Sequence, residues 1–563
     1  MTDTGNLNRR AFIGAAGAFA FAPVPGRIFA ADERPLFRMG VMTDTHVGRT
    51  RESCSRVQAA LGLFRRIGVD LIVNNGDIAD HYYPEGYRAL REIYSETYPD
   101  PALRPREIWV YAWHDAFEFM PGAPREDTTR HADAAFAEVR RLLEAKDPVT
   151  TAFEFHGIPM LVFNQFDRPE TFERMISTAI ADHPGKPIFV FSHVPPSGTV
   201  YNSWRWGSWF QREIYDRHPQ VVDFSGHVHG SLRNDLFIWQ KDFTVINSGC
   251  LQVWGGIPVN SRCISKSEYG VLTVDVFPDR LLVHRHDVRT GEEIEPDAPW
   301  NVALPFAAAT ANYTVERKRA RAAVPQYPKD ARLSVVADGH GTLTLAFPEV
   351  ADRPRAFLHR VTIERQTADG GWVPLTRREV FGDYHLKDCE TEVKVAFSRG
   401  FFEPGERIRL KAQPLNAYGI PGEALTLDFT VPTPREIAET LLDRPWSEGE
   451  FPLAMRPSRF MDLPPTVAPA GSSLILACDV RTELPEDCAP FDLGVVNAVS
   501  GEKLTAPVFS PLGDSGVMRY VFEYRQPKAG GCRLLFAHGA RNGRVTVSRV
   551  RLLKDSDPRR AKA

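Results

Sequence analysis

The chain has 563 residues, with 68 Lys and Arg against 71 Asp and Glu, which gives a formal net charge of -3. Hydrophobic residues make up 43% and charged residues 25% of it, as in ordinary soluble globular proteins. This balance gives no reason to expect a nucleic acid or an anionic membrane as a partner. The length suggests three or four domains of about 150 residues each.

Seven cysteines are too few, and odd in number, to hold the fold together as a disulfide framework. Three of them, Cys478, Cys488 and Cys532, lie in the last part of the chain. Either one bridge forms among these three, or they are buried free thiols.

The N-terminus has the layout of a secretory signal. Arg9 and Arg10 precede an apolar run at 11–22, which is shorter than the roughly 20 residues that a bilayer-spanning helix needs. This segment resembles bacterial twin-arginine signals. The resemblance implies that residues 1–30 are removed, that the twin-arginine machinery exports the folded protein, and that the mature form is periplasmic or secreted and has no membrane span. The alternative is an uncleaved N-terminal anchor.

Residues 31–305 are predicted to form one α/β domain. Short, continuously apolar runs alternate here with segments of helical periodicity, as expected of a layered α/β core. Three further runs suggest antiparallel strands near its end. The strands are expected at 37–42, 69–74, 107–112, 158–164, 187–191, 221–224, 243–246, 269–277 and 281–288, and the helices at 51–67, 84–98, 132–145 and 170–181.

Two all-β sandwich domains are predicted to follow. After a linker at 306–324, residues 325–432 contain short β runs separated by Gly and Pro turns, and loosely resemble a fibronectin type III domain. A second linker is expected at 433–456, with a short helix at 435–442. Residues 457–556 resemble jelly-roll modules that often bind carbohydrate, which makes a glycan a candidate partner; the alternative is a purely structural sandwich.

Polar residues with metal-binding side chains follow five of the apolar strands in the α/β domain. Loops at the carboxyl ends of the strands of such a sheet share one crevice, so these residues are expected to converge. Carboxylates and imidazoles packed together need cations between them, and two divalent metals bridged by one carboxylate would satisfy them. The residues are Asp44, His46, Asp77, Asp80, His114, Asp115, His193, His227 and His229.

In this order, the motifs D-x-H, G-D-x-x-D, H-D, a lone His and G-H-x-H resemble those of calcineurin-like metallophosphoesterases. The resemblance implies a four-layer β-sandwich flanked by helices, and one or two divalent ions such as Mn, Fe or Zn. It further implies a bridging hydroxide that attacks phosphorus, proton donation by His114 with Asp115 orienting it, and a supporting role for Asp80. By the same resemblance, one metal is held by Asp44, His46 and His229, the other by His193 and His227, and Asp77 bridges them.

The third motif departs from the family pattern. The family has an Asn ligand before the His, whereas this chain has Trp113, whose indole offers no lone pair to a cation. Asn164 and Asn247 lie near strand ends and are candidates to replace it. The departure leaves open a weaker second metal site, a mononuclear enzyme or an inactive relative.

An aromatic stretch at 201–210 lies between two of the predicted ligands. Trp204, Trp206 and Arg205 are candidates to bind a substrate's organic group and phosphate, together with Trp113; ordinary packing is the alternative. The sequence thus predicts an exported metal-dependent phosphoesterase that hydrolyses a phosphomonoester or phosphodiester. The alternative is a metal- or ligand-binding pseudoenzyme whose sandwiches bind glycans or other partners.

Overall fold

The computed structural model describes residues 34–555, apart from several short stretches. These stretches are 49, 51, 81–83, 117–127, 253–268, 351, 353, 384–390, 399, 435–438, 446–449, 453–457, 463–467, 485–491, 506–507, 510–512, 529–530 and 538–543. The twin-arginine segment and Cys488 therefore lie outside the described residues. No helix within the described ranges combines the length and the apolar character needed to cross a bilayer.

The described residues of the α/β domain form thirteen strands and seven α-helices. In chain order these are β1 (Phe37–Met42), α1 (Ser53–Ile67), β2 (Leu71–Asn75), α2 (Pro84–Thr97), β3 (Arg106–Val110), α3 (Trp113–Ala116), α4 (Thr128–Leu143), β4 (Thr151–Phe155), β5 (Ile158–Val162), α5 (Pro169–Asp182), β6 (Ile188–Phe191), α6 (Ser203–Trp206), α7 (Trp209–Tyr215), β7 (Val221–Ser225), β8 (Ile238–Gln240), β9 (Thr244–Asn247), β10 (Gly270–Val276), β11 (Arg280–Asp287), β12 (Glu292–Ile294) and β13 (Trp300–Ala303).

These strands form two mixed sheets. The first has the order β12-β11-β10-β1-β2-β3, with β13 also paired to β11, and the second has the order β4-β5-β6-β7-β9-β8. Strands β1, β2 and β3 run parallel to one another, as do β5, β6, β7 and β9. The carboxyl ends of the strands that precede the predicted site residues therefore point the same way within each sheet.

The two sheets pack face to face, with helices outside them. Leu71 and Val73 of β2 join a core that also contains Phe189 and Phe224 from the second sheet. Ile72, on the opposite face of β2, packs in a separate cluster with α1, α2 and α4. The helices α5 and α7 cover the other face of the second sheet. This is the predicted four-layer α/β arrangement.

Most predicted elements of this domain are present, with shifts of a few residues at their ends. The short strands β4, β8, β12 and β13 were not predicted. The aromatic stretch at 201–210, where no helix was predicted, contains the short helix α6 and the first residues of α7. Ser208 begins α7, because its side chain accepts a hydrogen bond from the Gln211 backbone N–H.

The first β-sandwich has sheets of three and four strands. In β18, buried and exposed residues alternate without interruption, as expected where one face covers a core and the other meets water. The helix α8 (Val315–Arg321), which precedes this sandwich, lies in the predicted linker at 306–324. The strands are β14 (Ser334–Ala337), β15 (Leu343–Pro348), β16 (Leu358–Gln366), β17 (Trp372–Phe381), β18 (Glu392–Phe397), β19 (Arg407–Leu415) and β20 (Leu425–Thr430).

The last sandwich has sheets of five and four strands. The helix predicted at 435–442 is wrong over its described part, because Glu439–Pro445 is a strand that pairs with β29 (Arg544–Lys554). The predicted linker at 433–456 thus contributes strands to this sandwich. Cys478 and Cys532 are free thiols, so they form no bridge with each other. The strands are β21 (Glu439–Pro445), β22 (Glu450–Pro452), β23 (Ser458–Asp462), β24 (Ser473–Leu484), β25 (Asp492–Asn497), β26 (Val508–Phe509), β27 (Gly513–Arg525), β28 (Cys532–Ala537) and β29 (Arg544–Lys554).

Consecutive domains contact each other through specific side chains. Tyr201 of the α/β domain packs edge-on against Phe357 and Phe381 of the first sandwich. Arg519 and Arg551 of the last sandwich donate hydrogen bonds to backbone carbonyls in the 400–401 turn of the first. Tyr201 is therefore part of a domain contact.

Candidate metal centre

The predicted ligands lie in loops that directly follow buried strands. The segments that follow β1 and β2 remain hydrogen-bonded to each other. The Asp44 N–H donates to the Gly76 carbonyl, and the His46 N–H donates to the Asp77 carbonyl. The loops are not simple extensions of the strands. Five ligands instead have a positive φ, which is uncommon outside glycine and characteristic of functional sites. They are Asp44, His46, Asp77, His227 and His229.

One group of possible ligands comprises Asp44, His46, Asp77 and His229. Each side chain offers one ligand atom, and these four atoms all lie within 4.8 Å of one another. The Nε2 atom of His229 is 2.9 Å from Oδ1 of Asp44. The Nε2 atom of His46 is 3.4 Å from that of His229 and 3.8 Å from Oδ2 of Asp77. Two carboxylates and two imidazole nitrogens thus converge on one point, as a small divalent cation requires.

A second group contains Asp77, His193 and His227. The Nε2 atom of His193 lies 3.0 Å from Oδ2 of Asp77, and the rings of His193 and His227 are 5.0 Å apart. Asp77 is therefore common to both groups. The same division of the six side chains was expected from the sequence.

Three of the imidazoles are held in place through their outer nitrogens. The Nδ1 atom of His193 is 2.9 Å from the Asn75 carbonyl, and that of His229 is 2.6 Å from the Gln252 carbonyl. The Nδ1 atom of His46 is 3.2 Å from Oδ1 of Asp80. An acceptor at Nδ1 fixes the proton there and leaves the Nε2 lone pair facing the cluster, as in metal-binding histidines generally.

The electrostatics of the cluster favour a bound cation. Burial lowers the pKa of His193, but the charges of Asp77 and Asp44 outweigh it and raise that pKa to about 10. Burial opposes ionisation of Asp77, yet neighbouring imidazoles hold its pKa well below the ordinary value. Asp44 Oδ1 and His193 Nε2 are also buried without a hydrogen bond of normal geometry. The residues therefore fit divalent metal ions.

The third motif contributes no ligand to the second group from position 113. Trp113 is partly exposed, and its backbone N–H donates to Oε1 of Gln165. The two asparagines considered as substitutes are engaged elsewhere: Oδ1 of Asn164 accepts from the Phe166 N–H, and Oδ1 of Asn247 accepts from the Gly249 N–H. Among the described Asp, Glu, His and Cys residues, the second group consists of three side chains.

The structure corrects the partner predicted for His114. Asp115, expected to orient this imidazole, is fully buried, and its carboxylate accepts from three backbone N–H groups, those of Ile78, Ala79 and Ala112, and from the Tyr87 hydroxyl. Burial, followed by the charge of Asp77, raises the pKa of Asp115 to about 7. Asp115 thus ties the loop after β2 to the loop after β3.

Asp80 is the carboxylate that lies beside His114. Its Oδ1 is 3.4 Å from Nδ1 of His114 and 3.2 Å from Nδ1 of His46. The rings of His46 and His114 meet edge to face, with centroids 4.7 Å apart. Asp80 therefore stands between a predicted ligand and the predicted proton donor.

Some of the aromatic residues predicted to bind substrate lie beside the cluster of metal-binding side chains. The ring of Trp206 is 6.1 Å from that of His227 and is 48% exposed, whereas Trp204 is partly buried. Trp113 follows β3 immediately before His114 and is 38% exposed. The side chain of Arg205 lies outside the described residues.

Two glycines make room for the ligands. A Cβ on Gly76 would lie 2.6 Å from the ring of His193, and one on Gly226 would lie 2.0 Å from the Thr43 hydroxyl and 2.7 Å from Oδ2 of Asp44. Gly76 also has φ +94°, a conformation unfavourable for other residues. Glycine is therefore needed before Asp77 and before His227, because neighbouring side chains approach the backbone closely at these two positions.

Sequence reasoning missed the backbone groups that hold the rings, namely the carbonyls of Asn75 and Gln252. Asn75 stands two residues before Asp77, and Gln252 lies just after the loop that follows β9. Position at a strand end was the available signal for both. Every residue has a backbone carbonyl, so residue types alone could not show that the carbonyls of Asn75 and Gln252 hold the imidazole rings.

Part of the chain is similar to known proteins. Residues 37–231 match the family model described as Calcineurin-like phosphoesterase. A dimetal phosphatase from Danio rerio is 12% identical over 48% of this chain and 99% of its own, with a TM-score of 0.33. A purple acid phosphatase from yellow lupin (Lupinus luteus) seeds is 12% identical over 48% of this chain and 55% of its own, with a TM-score of 0.34. No curated protein matches the sequence.

Proposed function

We propose that the calcineurin-like phosphoesterase domain at residues 37–231 hydrolyses a phosphomonoester or phosphodiester with the help of divalent metals. The observation that best supports this is the division of six Asp and His side chains into two groups that share Asp77. Metals bound there would lower the pKa of a coordinated water towards neutrality and neutralise charge on the phosphoryl oxygens. Their ligands would be Asp44, His46, Asp77 and His229 on one side, and Asp77, His193 and His227 on the other.

In this proposal His114 gives a proton to the leaving-group oxygen. Its ring lies against that of His46, and its backbone N–H donates to Oδ1 of Asp77, which keeps it beside both groups. Asp80 positions the imidazole through Nδ1 and stabilises its protonated form. A proton donor of this kind contributes about 10²–10⁴-fold to a rate.

The second candidate is a metal-binding protein without phosphoesterase activity. Trp113 favours it, because the indole stands where the family supplies an oxygen ligand and leaves three side chains in the second group. Such a protein would still bind metal at the first group. Its function would then belong to the β-sandwiches.

Turnover of p-nitrophenyl phosphate and bis-p-nitrophenyl phosphate in Mn²⁺ separates the two candidates. We expect turnover by the natural chain and a loss of about 10²-fold or more in Asp77→Asn, since that change removes a carboxylate from both groups. The matched control is Asp182→Asn, at an exposed carboxylate near the end of α5, which should keep full activity. If metal is bound but neither ester is turned over, and activity appears on Trp113→Asn, the second candidate is supported instead.

We also propose that the protein is exported, on the strength of Arg9 and Arg10 before the apolar run at 11–22. Replacement of both arginines by lysine should retain the full-length precursor inside bacterial cells. Fractionation followed by blotting measures this. Equal amounts of both forms outside the cytoplasm would contradict export by the twin-arginine route.

A further inference from the structure

A cavity of about 630 Å³ lies where the α/β domain, α8 and the first β-sandwich meet. Arg233 and Arg285 line it from the α/β domain, Lys318 and Arg321 from α8, and Arg355 from the sandwich. None of the predicted metal ligands lines it. The volume falls in the range of small-molecule sites, about 300–1,000 Å³.

The lining of this cavity is strongly basic. The five cationic side chains are accompanied by only two carboxylates, Asp235 and Glu295. Glu295 is already paired, since it accepts from Arg285 at 2.8 Å. Burial, followed by the charge of Glu295, raises the pKa of Asp235, whereas the charges of Lys318, Arg285 and Arg321 act to lower it. A concave surface with this excess of cations attracts anions.

Lys318 is the most unusual member of the group, because its side chain is buried, at 5% exposure. Its ammonium donates to the carbonyls of Asp235 and Ile238, at 2.8 and 2.5 Å, and an ammonium carries three N–H groups. Burial lowers its pKa to about 8. A buried cation is costly unless it is paired; the charge of Asp235 already favours the ammonium, and an anion in the cavity would stabilise it further.

The apolar part of the lining includes aromatic rings. Tyr313 lies under the guanidinium of Arg321, and Tyr418 lies 5.9 Å from the ammonium of Lys318. Arg321 and Pro354 are exposed, so the cavity is open to solvent on that side. An occupant would contact both cations and aromatic rings.

We propose that this cavity binds the phosphate group of a small molecule. Arginine is well suited to this, because its planar guanidinium can give two parallel hydrogen bonds to phosphate oxygens. The rings of Tyr313 and Tyr418 would receive the organic part if the ligand has one. The site goes beyond the proposed hydrolysis and does not depend on it.

The test is calorimetric titration of the full-length, metal-loaded protein with phenylphosphonate, which has no ester bond to hydrolyse, and with inorganic phosphate. The natural chain should bind each ligand at the cavity in addition to the metal centre. Arg321→Glu and Arg355→Glu should weaken cavity binding by about tenfold or more, because each replaces an attractive charge with a repulsive one. Tighter binding of phenylphosphonate would indicate an organic phosphate, and equal binding would indicate free phosphate.

The matched control is Arg319→Glu, which makes the same charge change on the same short helix at an exposed position outside the cavity. It should bind as the natural chain does. Asp77→Asn should keep the cavity site while binding at the metal centre is impaired, which separates the two sites. Binding that disappears in Asp77→Asn, or falls equally in Arg319→Glu and Arg321→Glu, would overturn the proposal.

Discussion

At the scale of single residues, Asp77 is the predicted ligand that the group containing Asp44 shares with the group containing His193. His193 belongs to one group alone. We therefore expect Asp77→Asn to impair both metal sites and His193→Ala to impair the second one. Measuring metal per protein by plasma mass spectrometry after dialysis against Mn²⁺ checks this.

The control for that experiment is His218→Ala, at an imidazole near the end of α7 that is in neither group. Its metal content should equal that of the natural chain. Equal metal loss in Asp77→Asn and His193→Ala would show that the two groups do not bind ions separately. Unchanged metal in both variants would exclude these residues as ligands.

Trp206 is the exposed residue for which the structure suggests a role in substrate choice. Its ring stands edge-on to His227, so an aromatic leaving group beside the metals could stack on it. We expect Trp206→Ala to raise KM for p-nitrophenyl phosphate by about fivefold, since an aromatic pair contributes about 1 kcal/mol. The value of kcat should change little. Steady-state kinetics with p-nitrophenyl phosphate and an alkyl phosphate measure this.

Trp209 provides the comparison for Trp206. It is exposed to the same extent, 49% against 48%, and stands at the start of the next helix. Trp209→Ala should leave both kinetic constants near those of the natural chain. An equal rise in KM for both variants, or for the alkyl ester as well, would remove the argument for aromatic recognition.

The identities of the predicted ligands could be derived from the sequence, but their surroundings could not. Metal-binding side chains after apolar strands were recognisable from the order of residues alone. That Asp80, and not Asp115, lies beside His114 depends on loop conformations with positive φ at Asp44 and Asp77. Local sequence patterns do not determine such conformations, because neighbouring loops stabilise one another there.

At the scale of structural elements, the turn after β2 shows how the backbone makes room for the site. Gly76 has φ +94°, and a Cβ there would lie 2.6 Å from the His193 ring. Gly76→Ala is expected to lower the free energy of unfolding by about 2–3 kcal/mol, from backbone strain and overpacking together. It should also reduce metal at the second group, because His193 must move. Chemical denaturation and metal analysis measure the two effects.

Gly68 is a suitable control, because it has a similar φ of +75° at the end of α1 but open space around its would-be Cβ. Gly68→Ala should cost only the strain, about 1 kcal/mol, and leave metal content unchanged. If both variants lose the same stability and neither loses metal, contact with His193 is not what requires glycine at position 76.

The elements that sequence reasoning missed leave little local signal, for different physical reasons. Strands β4 and β8 are short and lie at the edges of their sheet, where one neighbour supplies the hydrogen bonds and a buried apolar run is not needed. The four residues of α6 are too few to show helical periodicity. Glu439–Pro445 was misjudged as helical because its strand partner, β29, lies more than a hundred residues away. Pairing over such distances leaves little local signal.

At the scale of the whole molecule, the two sandwiches are joined through arginines of the last domain. Arg519 is 3% exposed, pairs with Asp479 at 2.8 Å, and donates to the Phe401 carbonyl of the first sandwich. The turn at Gly400 packs against Ile475 and accepts a hydrogen bond from Arg551. The contact therefore combines a buried ion pair with close backbone approach.

Arg519→Met should be strongly destabilising, because it removes the donor that Arg519 provides to Asp479 and to the Phe401 carbonyl. Loss of one partner of a buried ion pair costs about 3–5 kcal/mol. Arg549→Met is the matched control: its partner Asp443 lies on the same sheet, but the pair is exposed, at 39% and 37%, and should contribute less than about 1 kcal/mol. Urea unfolding followed by fluorescence measures both.

Because Arg519 also contacts the first sandwich, proteolysis between the sandwiches should become faster in Arg519→Met alone. Equal rates of proteolysis in Arg519→Met and Arg549→Met would show that Arg519 does not hold the two domains together.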